Sequence, residues 1–440
     1  MKQTAFLKEY IKYVSVNVLG MIGFSCYVLA DTFFVAQKLG ANGLAALNFS
    51  ISIFSILQGL GLMVGIGGGT RFAILRSSSS ETKRNAVFFQ SVLLGLLISA
   101  VFILIGQFLT RPIGMLLGAR SDTLELTVVY LRIMLSFAPS FVLNNILMSF
   151  VRNDANPGLA MTAMLISSFS NILLDYIFIY PLSMGISGAA VATGISPLIS
   201  MGILMLHFIK KKNSFTLSKS QASLRMQLDI LRLGVSAFIS ELASSITLIT
   251  FNYIVLRLAG NTGVAAYGVI ANIALVASAV FTGAAQGMQP LASRSFGRSD
   301  SSSLRKIRLY STVFCIIAAA LIYTGIFMFT RTIVHVFNSE SDAYLKQIAE
   351  PGLRIYFIGY FFAGLNIVGA AYLSATEKPG NAAVISLLRS SIILVPMVIL
   401  MGSILRLNGV WLSFVLTEFL VCILCVFFII RSYKAKRNVC

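Results

Sequence analysis

The sequence predicts an all-α integral membrane protein of twelve transmembrane helices, arranged as two six-helix bundles related by a pseudo-twofold axis along the membrane normal. Three observations predict it: an apolar composition, twelve apolar runs of bilayer length, and a second half that repeats the first. Of 440 residues, 57% are hydrophobic and only 11% charged, with a mean hydropathy of +0.87. Soluble domains carry roughly 25% charged residues, so a water-soluble multidomain enzyme is excluded.

A helix crosses a bilayer with about 20 apolar residues. Such runs fall at 13–36, 45–70, 87–109, 126–151, 158–181, 187–209, 230–257, 264–290, 308–330, 353–376, 381–403 and 409–431. The first holds Asp31; it is too long for a removable signal and no small-residue cleavage site ends it. The second ends at Arg71, the third follows Lys83 and Arg84, and the fourth contains Pro139 and stops at Arg152. The fifth starts after Pro157 and carries Asn171 and Asp175; the sixth contains Pro197 and ends before Lys210. After a polar linker, the seventh carries Glu241, the eighth ends at Pro290, and the ninth and tenth flank an outer loop at 331–350 that includes His335. The eleventh holds Arg389 and Pro396, and the twelfth Glu418. Each proline removes a helical hydrogen bond and can bend its span.

The linker at 210–229 is the longest polar stretch and divides the chain into bundles at 1–209 and 230–440. At an offset of 220, Gly40-Ala41-Asn42-Gly43-Leu44-Ala45-Ala46 meets Gly260-Asn261-Thr262-Gly263-Val264-Ala265-Ala266, and Gly67 meets Gly287. At 221, Gly188 meets Gly409. Six spans per repeat is an even number, so both halves share one orientation.

Lys+Arg number 34 against 15 Asp+Glu, a formal charge of +19. The basic residues cluster at both termini, in the linker (including Lys219), around 71–84 and at 294–308. With lysine and arginine favouring the cytoplasmic side, both termini are expected in the cytoplasm and the positive charge faces the bilayer surface, not nucleic acid. The expected location is the inner (plasma) membrane, multi-pass, and the expected state a monomer. Cys26, Cys315, Cys422 and Cys425 lie in apolar runs and Cys440 ends the chain, so they read as small hydrophobes, not a disulfide framework. No phosphate-binding loop of the G-x-x-x-x-G-K-[ST] type occurs, and no cofactor is expected.

An ionisable group at bilayer depth costs at least about 2.5–3.5 kcal/mol, so such residues mark function. Asp31 and Asp175 sit toward the outer ends of their spans at similar depth, and Asn171 lies on the same helical face as Asp175, one turn deeper. Two carboxylates and an amide oxygen suit a small hard cation; alternatively the two acids share a proton. The other reading leaves Asp31 as a helix cap and Asp175 bonded to a neighbouring hydroxyl. Glu241, Arg389 and Glu418 belong to the second half. They read as a structural pair of Arg389 with one glutamate, or with Glu241 as a substrate or proton site. Glu377 and Asp154 stand at span ends, where solvation accounts for them, and neither His207 nor His335 has the setting of a metal ligand.

Several motifs resemble those of the multidrug and toxic compound extrusion (MATE) family. Ala30-Asp31-Thr32-Phe33-Phe34-Val35, leading to Leu39-Gly40 and Leu44-Ala45-Ala46, resembles the first-helix signature. Gln286-Gly287-Met288-Gln289-Pro290-Leu291 followed by Gly297 is similar to the eighth-helix motif. Asn171-Ile172-Leu173-Leu174-Asp175, running to Gly185 and Gly188-Ala189-Ala190-Val191-Ala192-Thr193, resembles the fifth- and sixth-helix motif. The resemblance, closest to the MepA-like and DinF-like members, implies a V-shaped pair of bundles exchanging organic cations and amphipathic drugs for H⁺ or Na⁺. It implies a coupling site of Asp31, Asn171, Asp175 and Thr193, which would be a metal site only if the ion is sodium. Three features depart from the family. Ser245 stands where NorM-like members have a carboxylate, 355–375 contains no acid, and Val16 replaces a first-helix proline, leaving Gly20 and Gly23 to supply flexibility.

The internal duplication itself suits alternating access across a central cleft. An exporter or flippase of one endogenous metabolite or lipid-linked precursor is the alternative within transport, although flippases of that kind usually have fourteen spans. A non-transporting receptor or scaffold is the alternative of another class, and intramembrane acids count against it. No nucleophile–base spacing indicates an enzyme.

Overall fold

The computed structural model describes residues 2–76, 81–120, 122–218, 223–337 and 342–437; Lys219 and Cys440 lie outside them. Nine helices among these residues are long and apolar enough to cross a membrane, ten with one bent pair. Two of the nine are each divided by a non-helical residue, Gly260 and Arg406, and the spans then number twelve. They are α1 (Ala5–Gly40), α2 (Asn42–Leu75), α3 (Glu81–Phe108), α4 (Thr123–Ser136 and Ala138–Asn153), α5 (Pro157–Ile179) and α6 (Gly185–Ile209). In the second half, α7 (224–259) and α8 (261–297) flank Gly260, and α9 and α10 are Ser301–Phe337 and Ala343–Ala375. Last come α11 (379–405) and α12 (407–431), on either side of Arg406. The outer loop expected at 331–350 is shorter than the sequence suggests. Helix continues to Phe337 and resumes at Ala343, and His335 sits in the last turn of α9.

The repeat is visible in the backbone. Gly40 joins α1 to α2 with φ 61° and ψ −156°, and Gly260 joins α7 to α8 with φ 62° and ψ −157°. That conformation is open to glycine and strained for other residues. Gly185 (φ 59°) opens α6, whereas its equivalent at an offset of 221, Arg406, adopts φ 51° with a full side chain. The 46° bend inside α4 falls at Phe137, where Pro139 follows and lacks the N–H that would close the turn.

Two large hydrophobic cores, with a smaller cluster of Ala370, Leu373, Ala382, Ile385, Val421 and Cys425, lie among the described residues. The first gathers side chains from Val35 to Phe150 with Ile179, Phe215 and Ile230; the second gathers Phe251 to Phe414 and recruits Tyr10, Tyr13 and Val14 from the start of the chain. Phe215 of the linker is fully buried among Phe72, Phe88, Phe150 and Phe208. The polar linker thus folds onto the first bundle, and its last residues are already the first turns of α7.

The halves meet near the face that carries the linker. Gly234 of α7 lies against the Met63 backbone of α2, and Gly287 of α8 against Tyr13 of α1, where an added Cβ would stand 2.5 Å from the Tyr13 carbonyl oxygen. Around these approaches Gln289 donates to Thr70 (2.6 Å), Ser245 donates to Ser55 (3.0 Å), and Arg71 pairs with both Asp229 (3.0 Å) and Glu377 (2.5 Å). Arg294 pairs with Glu9 at 2.8 Å. Gly20 and Gly23 do not interrupt α1, which stays helical to Gly40; they face Met164 and Leu165 and let α1 press against α5.

Because Arg406 occupies a conformation worth about 1–3 kcal/mol of strain, Arg406→Gly is expected to stabilise the protein by about 1 kcal/mol after the entropic cost of glycine. Thermal unfolding in detergent checks this. A lower melting temperature for Arg406→Gly than for the unaltered chain would contradict it.

Candidate functional site

The close contact of α1 with α5 brings Asp31 to Asp175. Toward the far face, Phe34 packs on Tyr176 and Tyr180, and the Tyr180 hydroxyl donates to Gln37 at 2.7 Å, which fixes the end of α1 on α5. On α6 the backbone beside Thr193 is held from two sides: Ser140 donates to the Gly194 carbonyl (3.0 Å) and Ser167 to the Ser196 carbonyl (2.7 Å). Asp31, Asn171, Asp175 and Thr193 are all buried, Asp175 completely.

Asp31 and Thr193 line one small cavity, Asn171 and Thr193 line a larger one, and Asp175 lies against Asp31; several polar atoms of the four have no hydrogen-bond partner. Asp31 Oδ1, Asn171 Oδ1, both Asp175 carboxyl oxygens and Thr193 Oγ1 are buried and unbonded, as is Asn171 Nδ2. The two carboxyls are close enough to interact directly. A buried polar group without a partner costs about 1–3 kcal/mol, more when charged. The chemistry of such an oxygen set suits a proton with water, or a hard cation that takes oxygen ligands. A cavity of about 70 Å³ opens beside them, lined by Tyr27, Asp31, Ser50, Phe54, Tyr130 and Thr193. One water needs roughly 10–15 Å³, so a partly hydrated ion fits. Among the described residues no three His, Cys, Asp or Glu side chains group to hold a metal ion.

A larger cavity of about 140 Å³ is walled mainly by the first bundle, with Glu241, Thr282 and Gln286 of the second closing one side. It shares Tyr27, Phe54 and Thr193 with the smaller one, and Asn171 also reaches it. Met21, Phe24, Phe141 and Met148 give it apolar walls, while Gln58, Asn145, Arg152, Glu241 and Gln286 give it polar ones.

The second-half charges do not form one group. Arg389, on a π-helical turn (Leu388–Ile392) of α11, pairs with Glu418 of α12, Nη2 to Oε1 at 2.7 Å and Nε to Oε1 at 3.2 Å. Asn366 of α10 donates to Glu418 Oε2 at 2.7 Å. Glu241 is apart from them and lines the central cavity. Two residues sit differently from the sequence expectation. Asp154 is not solvated: its side chain is fully buried, accepts from the Ser214 amide (2.7 Å) and hydroxyl (2.5 Å), and pairs with His207 (2.9 Å) and Arg76 (3.3 Å). The linker folds back over it and replaces the water. Arg152, assigned by position to the basic surface, is buried at the closed end of the central cavity. Tyr27 and Tyr130, beside the carboxylates, carried no signal in the sequence, since phenols are common in apolar spans.

Twelve spans in two repeats, with a cavity walled by both and buried polar side chains in the first, have the architecture of a membrane transporter. The MatE family model matches residues 18–177 and 236–400, and the chain belongs to that family. It is a transport protein, not an enzyme. It is 26% identical to the multidrug export protein MepA of Staphylococcus saprophyticus over all of this chain and 96% of that one. To MepA of Staphylococcus aureus it is 27% identical over 94% of this chain and 91% of the other. A crystal structure of MATE in complex with MaL6 superposes with a TM-score of 0.93 at 23% identity, covering 98% of this chain and 97% of the other. The outward-facing conformation of a multidrug resistance MATE family transporter gives 0.92 at 22% identity, over 98% and 96%.

Removing one partner of the Arg389–Glu418 pair leaves a buried charge uncompensated, at a cost of about 3–5 kcal/mol. Glu418→Gln is therefore expected to lower the unfolding temperature sharply, and the double variant Arg389→Met/Glu418→Leu to recover most of the loss. Chemical unfolding of both in detergent tests this, and equal stability of Glu418→Gln and the unaltered chain would refute the structural role.

Proposed function

We propose that the protein is a cation-coupled antiporter that exports organic cations and amphipathic drugs by alternating access, driven by H⁺ or Na⁺. The observation that carries the reading is the cluster of five unpartnered oxygens on Asp31, Asn171, Asp175 and Thr193, with a wall in common with the central cavity. The MepA relatives, named as multidrug exporters, support the substrate class.

The proposed mechanism follows from that shared wall. A cation entering from outside neutralises the Asp31–Asp175 pair and draws α1, α5 and α6 around it. Tyr27 and Thr193 belong to both cavities, so their movement alters the substrate cavity at once. Glu241 offers a carboxylate to the positive end of a substrate. The bundles at 1–209 and 230–440, joined by the 210–229 linker, are the moving bodies, and one chain suffices as the working unit. With both termini in the cytoplasm of a plasma-membrane protein, closure at the linker face makes the present conformation outward-facing. Each charge carried inward contributes about 2.3 kcal/mol per 100 mV.

Asp31→Asn and Asp175→Asn are each expected to reduce ethidium efflux from cells to background while the protein remains in the membrane. Proteoliposomes with pH and sodium gradients imposed separately identify the ion. Undiminished efflux by both variants would eliminate the coupling site.

A further inference from the structure

Arg152 closes the inner end of the central cavity and is 3% exposed. Its Nη1 donates to Asn17 of α1 (3.2 Å) and to Gln286 of α8 (2.5 Å), so one nitrogen bridges the two bundles. Both acceptors are neutral amide oxygens. Nε is buried without a partner among the described residues. Arg152 takes part in none of the ion pairs among the described residues. The nearest acid in sequence, Asp154, is already engaged by His207, Ser214 and Arg76. The carbonyl end of α4 offsets part of the charge, but a guanidinium at this depth ordinarily finds a full counter-ion, as Arg389 does in Glu418.

We infer that Arg152 is an anion subsite, and that the cavity takes zwitterionic amphiphiles whose carboxylate sits on Arg152 while the cationic end meets Glu241. The inference rests on the export reading above and names its substrate class more narrowly. A guanidinium takes a carboxylate through charge-assisted bonds, up to two in parallel, and Arg152 holds a donor that the protein leaves unsatisfied. The opposite charge stands in the same cavity. Glu241 packs against Gly59, an added Cβ at Gly59 lying 3.3 Å from Glu241 Cβ, and the adjacent Gln58 accepts from Asn145 of α4 at 3.1 Å. Arg152 is seven residues, a rise of about 10 Å, further along α4 than Asn145, and Glu241 and Arg152 line the same cavity without forming an ion pair among the described residues. They do not neutralise each other, and Met148 and Ile66 give the cavity apolar wall for the body of the ligand.

The test compares two dyes that differ only at the carboxylate: rhodamine B, a zwitterion, and its methyl ester, a cation. Binding to the purified full-length chain is measured by fluorescence polarisation. Charge-assisted bonds to a buried guanidinium predict that rhodamine B binds on the order of tenfold more tightly than the ester. Arg152→Gln should remove that ratio, and Arg152→Lys, which keeps the charge and loses the fork, should restore part of it. Should Arg152→Gln fail to fold, the ratio in the unaltered protein and in Arg152→Lys still decides. Ester binding equal to or tighter than rhodamine B, no rhodamine B binding, or a ratio unchanged by Arg152→Gln would each overturn the subsite. None of these readings uses an ion gradient. Failure of the antiport mechanism would appear instead as gradient-independent ethidium flux, with the dye ratio intact.

Discussion

Inside a bilayer no water is at hand to satisfy a polar group, so each one must find its partner within the protein or stand as a vacancy for a ligand. The helices meet this constraint for the backbone, and most hydroxyls meet it by donating to the carbonyl one turn back, as Ser25, Ser50, Ser91, Ser99 and Thr330 do. Arg389 meets it through Glu418, and Asp154 through His207 and the returning linker. The exceptions are then informative because the rule is mostly kept. Among the described residues single atoms of Asn144, Ser149, Ser200, Ser293 and Thr417 also lack a partner, but on Asp31, Asp175 and Arg152 the unpartnered atoms belong to ionisable groups in the half that walls both cavities.

These exceptions fall unevenly across a duplicated fold. The offset that relates Gly40 to Gly260 places Phe251 opposite Asp31, and the later offset places Phe414 opposite Thr193. There the second bundle is an aromatic stack: Phe251 lies on Tyr267 at 5.2 Å, Tyr356 on Phe414 at 4.1 Å, and Tyr267 on Trp411 at 6.0 Å. Duplication conserved the backbone turns while the chemistry diverged. A rigid aromatic bundle facing one that holds an unsatisfied acidic pocket gives the pair a fixed partner and a responsive one, which is the division of labour the proposed coupling requires.

Most of the architecture was legible in the sequence because bilayer thickness sets span length and every span has to be apolar. The Gly40 and Gly260 turns were also legible, since no other residue adopts that backbone easily. Asp31 and Asp175 announced themselves as acids within apolar runs, and Asn171 by helical spacing. What remained hidden depended on tertiary closure. Asp154 and Arg152 stand at a span end, where position suggests solvent; only the fold shows the linker covering one and both bundles enclosing the other. Gly20 and Gly23 looked like sources of flexibility, and their function as contact points requires knowing that α5 lies opposite. Which glutamate Arg389 would choose was equally undecidable from one chain, because α7 and α12 both supply candidates.

The closed face is held in a way that a single ion can contest. Glycines at 234 and 287 let backbones touch, but the ion pairs around them involve half-exposed side chains, as in Arg71 with Asp229 and Glu377 and Arg294 with Glu9. Such pairs contribute about 0–1 kcal/mol each, and separating the bundles returns their charges to water at the membrane surface. The Arg152 bridge to Gln286 is the deeper tie, and it links a charge to a neutral amide. Opening this face separates these pairs together with the Gly234 and Gly287 approaches and the Tyr10, Tyr13 and Val14 side chains that the second core holds. One cation crossing 100 mV supplies about 2.3 kcal/mol, enough to shift a two-state balance roughly 50-fold. The proposed coupling asks for charge pairs of this weak kind: stronger bridges would hold the protein in one state against any gradient that a single bound ion could bring to bear.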